Sequence, residues 1–364
     1  MQKMYKRINW NTGTCNGNID VNKYLYSQLA RAICDAVYEK PLTVEEISIK
    51  TGLPTIYIED ELPRLIYGDA IVQAGNKYAT NFIILRLCDK KIMLDKFAPL
   101  VNKIADYFAH SFSGNNTHVA KMDFYGADFG INRLGYIALA AVIRDKTEDI
   151  MKKLDMKSSP YPPRLDGGYG WFIVDEKEAE HESLSATDSG CNSSGDADKD
   201  GFIYYYWIGK YYQHHIGSNT AWLANKNIVG KFDYGIVPAD ALSEDDLVRL
   251  LQSNLIIKDE EHYKLNFAAF THEQFYAFRT LFSGNSHVLD ALLSELISDI
   301  HMSFKTFVPK RLNDQINQYV CSYVHNIIGF VAETLISRGI LEKPDAAKPL
   351  VNGVFYLHGN YINI

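Results

Sequence analysis

Apolar residues recur every four positions over residues 23–39, at Leu25, Leu29, Ile33 and Val37, which lays one sticky stripe along a helix. Residues 41–52 predict a second helix of two turns. Thr43 stands as N-cap with Glu46 three positions on, the capping-box spacing, and Gly52 supplies a left-handed stop. A third helix is expected with Thr55 as its cap and Ile58, Leu62 and Leu65 on one face. Pro63 removes one of its hydrogen bonds and should bend it or mark its last turn. Two short apolar runs follow, 70–73 and 77–85, parted by Ala74, Gly75 and Asn76, a composition suited to a tight hairpin turn.

Three helices and a hairpin in that order are the layout of a winged helix-turn-helix, which places one helix in a DNA major groove. Over about residues 23 to 88 the chain resembles uncharacterised bacterial winged-helix transcription regulators, some of them joined to sigma-factor-like regions. The likeness is carried by EKPLTVEEISIKTGLPTIYIEDELPRL and, after a gap, GNKYATNFII. It implies a role in transcription.

A second signal lies within the chain. Residues 61–85 align without gaps on 246–270, and seven of 25 positions are identical: Leu62, Arg64, Leu65, Ile71, Tyr78, Asn81 and Phe82 against Leu247, Arg249, Leu250, Ile256, Tyr263, Asn266 and Phe267. Helical sequence follows each match, over 90–112 in one case and over 288–304 and 312–337 in the other, and then a Gly-marked strand at 170–174 or 353–357. Upstream of the second match, residues 209–240 are rich in Gly, Tyr and His and show neither capping box nor four-residue stripe. The second copy is therefore expected to be degenerate, packing rather than reading.

The expected organisation is α+β: an arm over 1–22, the winged helix over 23–90, a helical segment over 91–165, an aromatic β segment over 166–240, and a second winged-helix-like half over 241–364. Within the β segment, residues 175–200 are rich in Ser, Asp, Glu and Gly and predict a mobile acidic loop. The aromatic runs 169–174 and 202–209 flank it and are expected to pair as a hairpin.

Composition narrows the function classes. With 47% hydrophobic and 22% charged residues the chain has a globular balance, so wholesale disorder is excluded. The longest uninterrupted apolar run, 136–143, is eight residues, which argues against a membrane span. The first ten residues lack the apolar core of a secretion signal, and the five cysteines show no metal or disulfide spacing, so a cytoplasmic location is expected. No phosphate loop, zinc helix or nucleophile elbow is present, and the expected activity is non-catalytic, with no cofactor and no metal. Asp196 to Gly201 match the start of a calcium loop, but its twelfth position is Trp207 where a bidentate Glu is needed. His214, His215, His272 and Glu273 are read as scattered rather than converging ligands.

Charge complicates the DNA reading. Net charge is −7 for the whole chain, and residues 23–90 carry eight basic against nine acidic side chains. The presumptive recognition helix bears Glu59, Asp60 and Glu61 against Arg64. The candidate DNA contacts are Thr55 and Tyr57 in its first turn, Arg64, Lys50, and Asn76 and Lys77 at the wing tip, helped by Lys3, Lys6 and Arg7 in the arm. The rival reading is an adaptor whose acidic helix docks on a basic protein such as an RNA polymerase subunit. A homodimer and a small-molecule effector are left open as partners.

Overall fold

The computed structural model describes residues 7–15, 19–122, 125–126, 130–156, 164, 166–168, 170–177, 189–194, 202–208, 236–252, 255–266, 268–270, 272–283, 287–343 and 353–356. The architecture is α+β, mostly helical with small sheets. In chain order the elements are β1 (Trp10–Cys15), α1 (Val21–Leu25), α2 (Gln28–Ala36), α3 (Val44–Thr51), α4 (Thr55–Tyr67), β2 (Ile71–Ala74), β3 (Lys77–Thr80), β4 (Ile84–Leu85) and α5 (Leu87–Val119). There follow β5 (Tyr125–Gly126), α6 (Ile131–Lys153), β6 (Trp171–Glu176), β7 (Ser189–Ser194), β8 (Phe202–Ile208), β9 (Ile236–Pro238), α7 (Glu244–Gln252), β10 (Ile256–Asp259), β11 (His262–Leu265) and β12 (Ala268–Ala269). The last are α8 (His272–Ser283), α9 (His287–Phe307), α10 (Ile316–Tyr323), α11 (Asn326–Ser337) and β13 (Gly353–Tyr356). Two compact units form: one from Met1–Ala98, Ile150–Ser185 and Ser294–Val324, the other from Pro99–Asp149, Ala186–Leu293 and His325–Ile364.

In the first unit, local chemistry sets most helix ends. The helix expected over 23–39 is two helices. Ser27 turns extended and its hydroxyl accepts the Ala30 N–H at 3.0 Å, capping α2, while the Arg31 guanidinium donates to the Leu25 carbonyl at 2.7 Å and satisfies the end of α1. The capping box on α3 forms in both directions, Glu46 N–H to Thr43 Oγ1 at 3.3 Å and Thr43 N–H to Glu46 Oε2 at 2.8 Å, and Gly52 closes the helix at φ 75°. Thr55 is not the cap of α4. Pro54 takes that position without a side-chain bond, and α4 runs past Pro63 to Tyr67.

Strands β2 and β3 pair from Ile71 with Thr80 to Ala74 with Lys77, and Leu42 bridges to Tyr78 on the far side of β3. The second run ends sooner than expected. Residues 84–85 leave the hairpin as β4 and join β6 in parallel, while β1 pairs with β6 antiparallel, Trp10 opposite Glu176 and Cys15 opposite Trp171. Residues 10–15 are thus a sheet strand rather than a free arm; residues 1–6 lie outside the described residues. Trp10, Phe82 and Phe172 form the apolar contact beneath that sheet, with ring centroids 6.2 and 5.3 Å apart. Tyr319, fully buried on α10, donates to the Val174 carbonyl at 2.9 Å and to the Asp175 carboxylate.

In the second unit β11 lies between β9 and β10, β8 between β7 and β13, and β12 pairs with β5. The hairpin expected between 169–174 and 202–209 does not form: β6 takes β1 and β4 as partners, and β8 takes β7 and β13. Strand β7 also occupies part of the stretch expected as an acidic loop. Phe278 anchors the helical core, 5.2 Å from Phe270 and 5.1 Å from Phe282, and Phe112 meets Phe282 at 5.4 Å. The helical stretch Lys310–Ser337, shared between the two units, is long and apolar enough by composition to cross a membrane, and 61% of its most apolar part is buried inside the protein.

The two hairpins agree in detail. β10 and β11 begin and end 185 positions after β2 and β3, the distance from Ile71 to Ile256. The Ala70 N–H donates to Leu65 at 2.9 Å and the Leu255 N–H to Leu250 at 3.0 Å; the Asn81 N–H donates to Ala70 at 3.0 Å and the Asn266 N–H to Leu255 at 2.9 Å. Even the left-handed turn residue recurs, as Gly75 at φ 64° and Glu260 at φ 54°.

Candidate docking face

The region from Thr43 to Thr80 presents the outward sides of α3, α4 and the β2–β3 hairpin. Ile47, Ile58, Leu62 and Leu65 are buried beneath it. Large apolar side chains remain outside: Ile49 in the last turn of α3 is 85% exposed, and Ile56 and Tyr57 in the first turn of α4 are each 56% exposed. One turn before Ile49 stand Glu45 and Glu46, and one turn after Ile56 stand Glu59 and Asp60, all four exposed. Glu45 sits where its own N–H and the Thr43 hydroxyl stabilise the anion, so its carboxyl is held below the ordinary glutamate value. Each helix thus carries exposed apolar surface with exposed carboxylates one turn away.

The structure divides the six expected DNA contacts. Lys50 spends its ammonium on the Ala36 carbonyl at 2.7 Å, completing the C-terminus of α2. Arg64 is likewise committed: its guanidinium donates to the Tyr24 carbonyl at 3.0 Å and to the Lys23 carbonyl, and it pairs with Glu61 in the preceding turn. Both cations tie helix ends together. Thr55, Tyr57, Asn76 and Lys77 are exposed, the first two on α4 and the last two at the hairpin tip. Sequence reasoning passed over Ile49 and Ile56; an isoleucine on the polar side of a capped helix was the signal for the first.

Behind α4 lies a buried polar group. Tyr24 donates to Asp166 at 2.6 Å, the Asn81 amide donates to Asp69 at 2.9 Å, and Arg164 lies 3.7 Å from Asp69, 3.8 Å from Asp166 and 4.5 Å from the Phe172 ring centre. Burial and the Asp166 bond push the Tyr24 phenol up to about 12, and burial pushes the Asp69 carboxyl up against the opposing pull of Arg164. Gly68 approaches Tyr24 so closely that a Cβ there would meet the ring at 2.2 Å. This cluster fixes α1 against α4 and orients the face from behind.

Among the described residues no three His, Cys, Asp or Glu side chains gather to hold a metal. The calcium-like stretch 196–201, His214 and His215 lie outside the described residues, as do Lys3 and Lys6. No family model, curated protein or solved structure matches the chain.

Proposed function

We propose that residues 23–90 form a winged helix and that the chain is a non-catalytic cytoplasmic regulator which docks a protein partner through the outward face of residues 43–80. The observation that carries the reading is the composition of the face itself. Ile49, Ile56 and Tyr57 stand exposed on the same two helices as the exposed Glu45, Glu46, Glu59 and Asp60, while Lys50 and Arg64 are held on backbone carbonyls. Phosphates are repelled by such carboxylates; a basic protein with apolar side chains of its own fits the face on both counts. The resemblance to transcription regulators supports a component of the transcription machinery as that partner.

A bacterial RNA polymerase core, immobilised and titrated with the protein, tests it. Ile49→Ser with Ile56→Ser is expected to weaken binding at least about tenfold, the loss of two buried anchors. Equal retention of both proteins, or no retention of either, removes polymerase as the partner.

The second reading, DNA binding, is favoured by one observation: Thr55, Asn76 and Lys77 remain exposed on the first turn of α4 and the hairpin tip. Retention of promoter-length DNA at low salt that is lost with Lys77→Glu would support it in place of the docking reading.

A further inference from the structure

The spacing of 185 does not stop at the hairpins. α5 begins at Leu87 and α8 at His272; α6 begins at Ile131 and α10 at Ile316. Burial keeps the same register: Phe97, Ile104 and Phe108 correspond to Phe282, Leu289 and Leu293, and all six are buried. Side-chain identity has mostly gone from these helices, so the agreement is one of placement.

The units do not follow the halves. Ser294–Val324, in the first unit, is the counterpart of residues 109–139, which belong to the second. Each unit therefore takes its hairpin from one half of the sequence and its middle helices from the other. Contacts inside each unit tell the same story. In the first, Arg311 donates to the Tyr38 carbonyl and to Thr80 at 3.2 Å, and the Gln315 amide donates to Asn81 at 3.1 Å. In the second, Tyr107 donates to the Phe282 carbonyl at 3.3 Å and the Asn115 amide to Leu281 at 3.1 Å. One such bond occurs twice with the halves reversed. Cys321 donates to the Met156 carbonyl at 3.0 Å, and Tyr136, its counterpart 185 positions earlier, donates to the Glu342 carbonyl at 2.6 Å, one residue from strict equivalence.

We infer that the chain is a fused pair of related halves that have exchanged their middle helices, so that the partner each half fits is the other half. This is the arrangement of an intertwined homodimer made within one polypeptide. It stands apart from the docking reading and would survive its failure. A chain folded as two successive beads would keep Arg311 with residues 236–343; here Arg311 closes the first hairpin instead.

Hydrogen exchange on the full-length protein tests the exchange of helices. Arg311→Ala should speed exchange by about tenfold in residues 37–42 and 77–81 while leaving 255–266 unchanged. The reciprocal and milder variant, Tyr107→Phe, should loosen the end of α8 while leaving 71–85 unchanged. Effects confined to each variant's own half of the sequence would overturn the proposal. Arg311→Lys, which keeps a cation, guards against a variant that merely fails to fold: it is expected to show the same pattern at smaller amplitude, and a uniform change across both hairpins would also count against it.

Discussion

The two hairpin regions share a backbone and differ in what is packed in front of it. In the first, Leu42 bridges to Tyr78, and twelve residues separate Leu42 from the start of α4 at Thr55, enough for α3. In the second, Val237 pairs with Tyr263, the counterpart of Tyr78, but only six residues separate Val237 from α7 at Glu244, and they hold a single 3-10 turn. Among the described residues no α-helix stands between that pairing and α7. The helix behind differs too: Leu62 is 3% exposed, whereas its counterpart Leu247 is half-buried, and next to it Val248 is 46% exposed. The hairpin and the helix before it are one packing unit held by their own backbone bonds, and among the described residues the exposed helix accompanies the first copy alone.

The largest expected effect tests that asymmetry directly. Leu62→Ala should destabilise by about 3 kcal/mol, because α3 and α4 leave a closed cavity where the side chain was. Leu247→Ala should cost about 1 kcal/mol, the loss of partial burial without a cavity. Urea unfolding of the matched variants measures both. Equal losses would mean that some other part of the second unit covers Leu247 as thoroughly as α3 covers Leu62.

What was legible in the sequence followed the range of the interactions. The capping box at Thr43 and Glu46, the left-handed Gly52 and the hairpin turn at Gly75 are settled within four residues, and they were read correctly. The break at Ser27 was hidden because Leu25, Leu29, Ile33 and Val37 keep a helical spacing across it. The parting of Ile84 and Leu85 from the hairpin depends on β6, about ninety residues further on. Of the expected contacts, Thr55, Tyr57, Asn76 and Lys77 are exposed. The carbonyls that Lys50 and Arg64 bond lie 14 and 40 residues away in sequence, beyond the reach of a local pattern.

A smaller effect is expected from acid, and it marks the first region through its buried polar cluster. Burial raises the Asp166 carboxyl, but the Tyr24 hydroxyl, the Gly168 N–H and the Arg164 charge together outweigh it, so the group is held below the ordinary aspartate value of about 3.9. The stability this adds is full above that ordinary value and is lost as the pH falls through the depressed native one. Asp166→Asn should lower stability at neutral pH by about 1 to 2 kcal/mol and flatten the acid limb of the first region. Exchange in residues 21–36 and 71–80, followed from pH 6 to pH 3, should show the limb in wild type only; an unchanged acid profile would mean that the cluster is not the lock on α1.

The smallest effect compares the turns at the hairpin tips. Gly75 and Glu260 occupy the same left-handed position, φ 64° and 54°, and an added Cβ at Gly75 would meet no atom within 4 Å, so the cost of a side chain there is one of backbone conformation alone. Glycine adopts this conformation without strain but gives up more freedom on folding, and the two terms partly cancel. Glu260→Gly should therefore stabilise the second hairpin by about 0.5 to 1 kcal/mol and Gly75→Glu destabilise the first by the same amount. Near-equal and opposite shifts in the exchange of 256–265 and 71–80 would show that the two turns are energetically as well as geometrically equivalent. A loss at Glu260→Gly would mean instead that the glutamate side chain makes a contact worth more than the strain of its backbone.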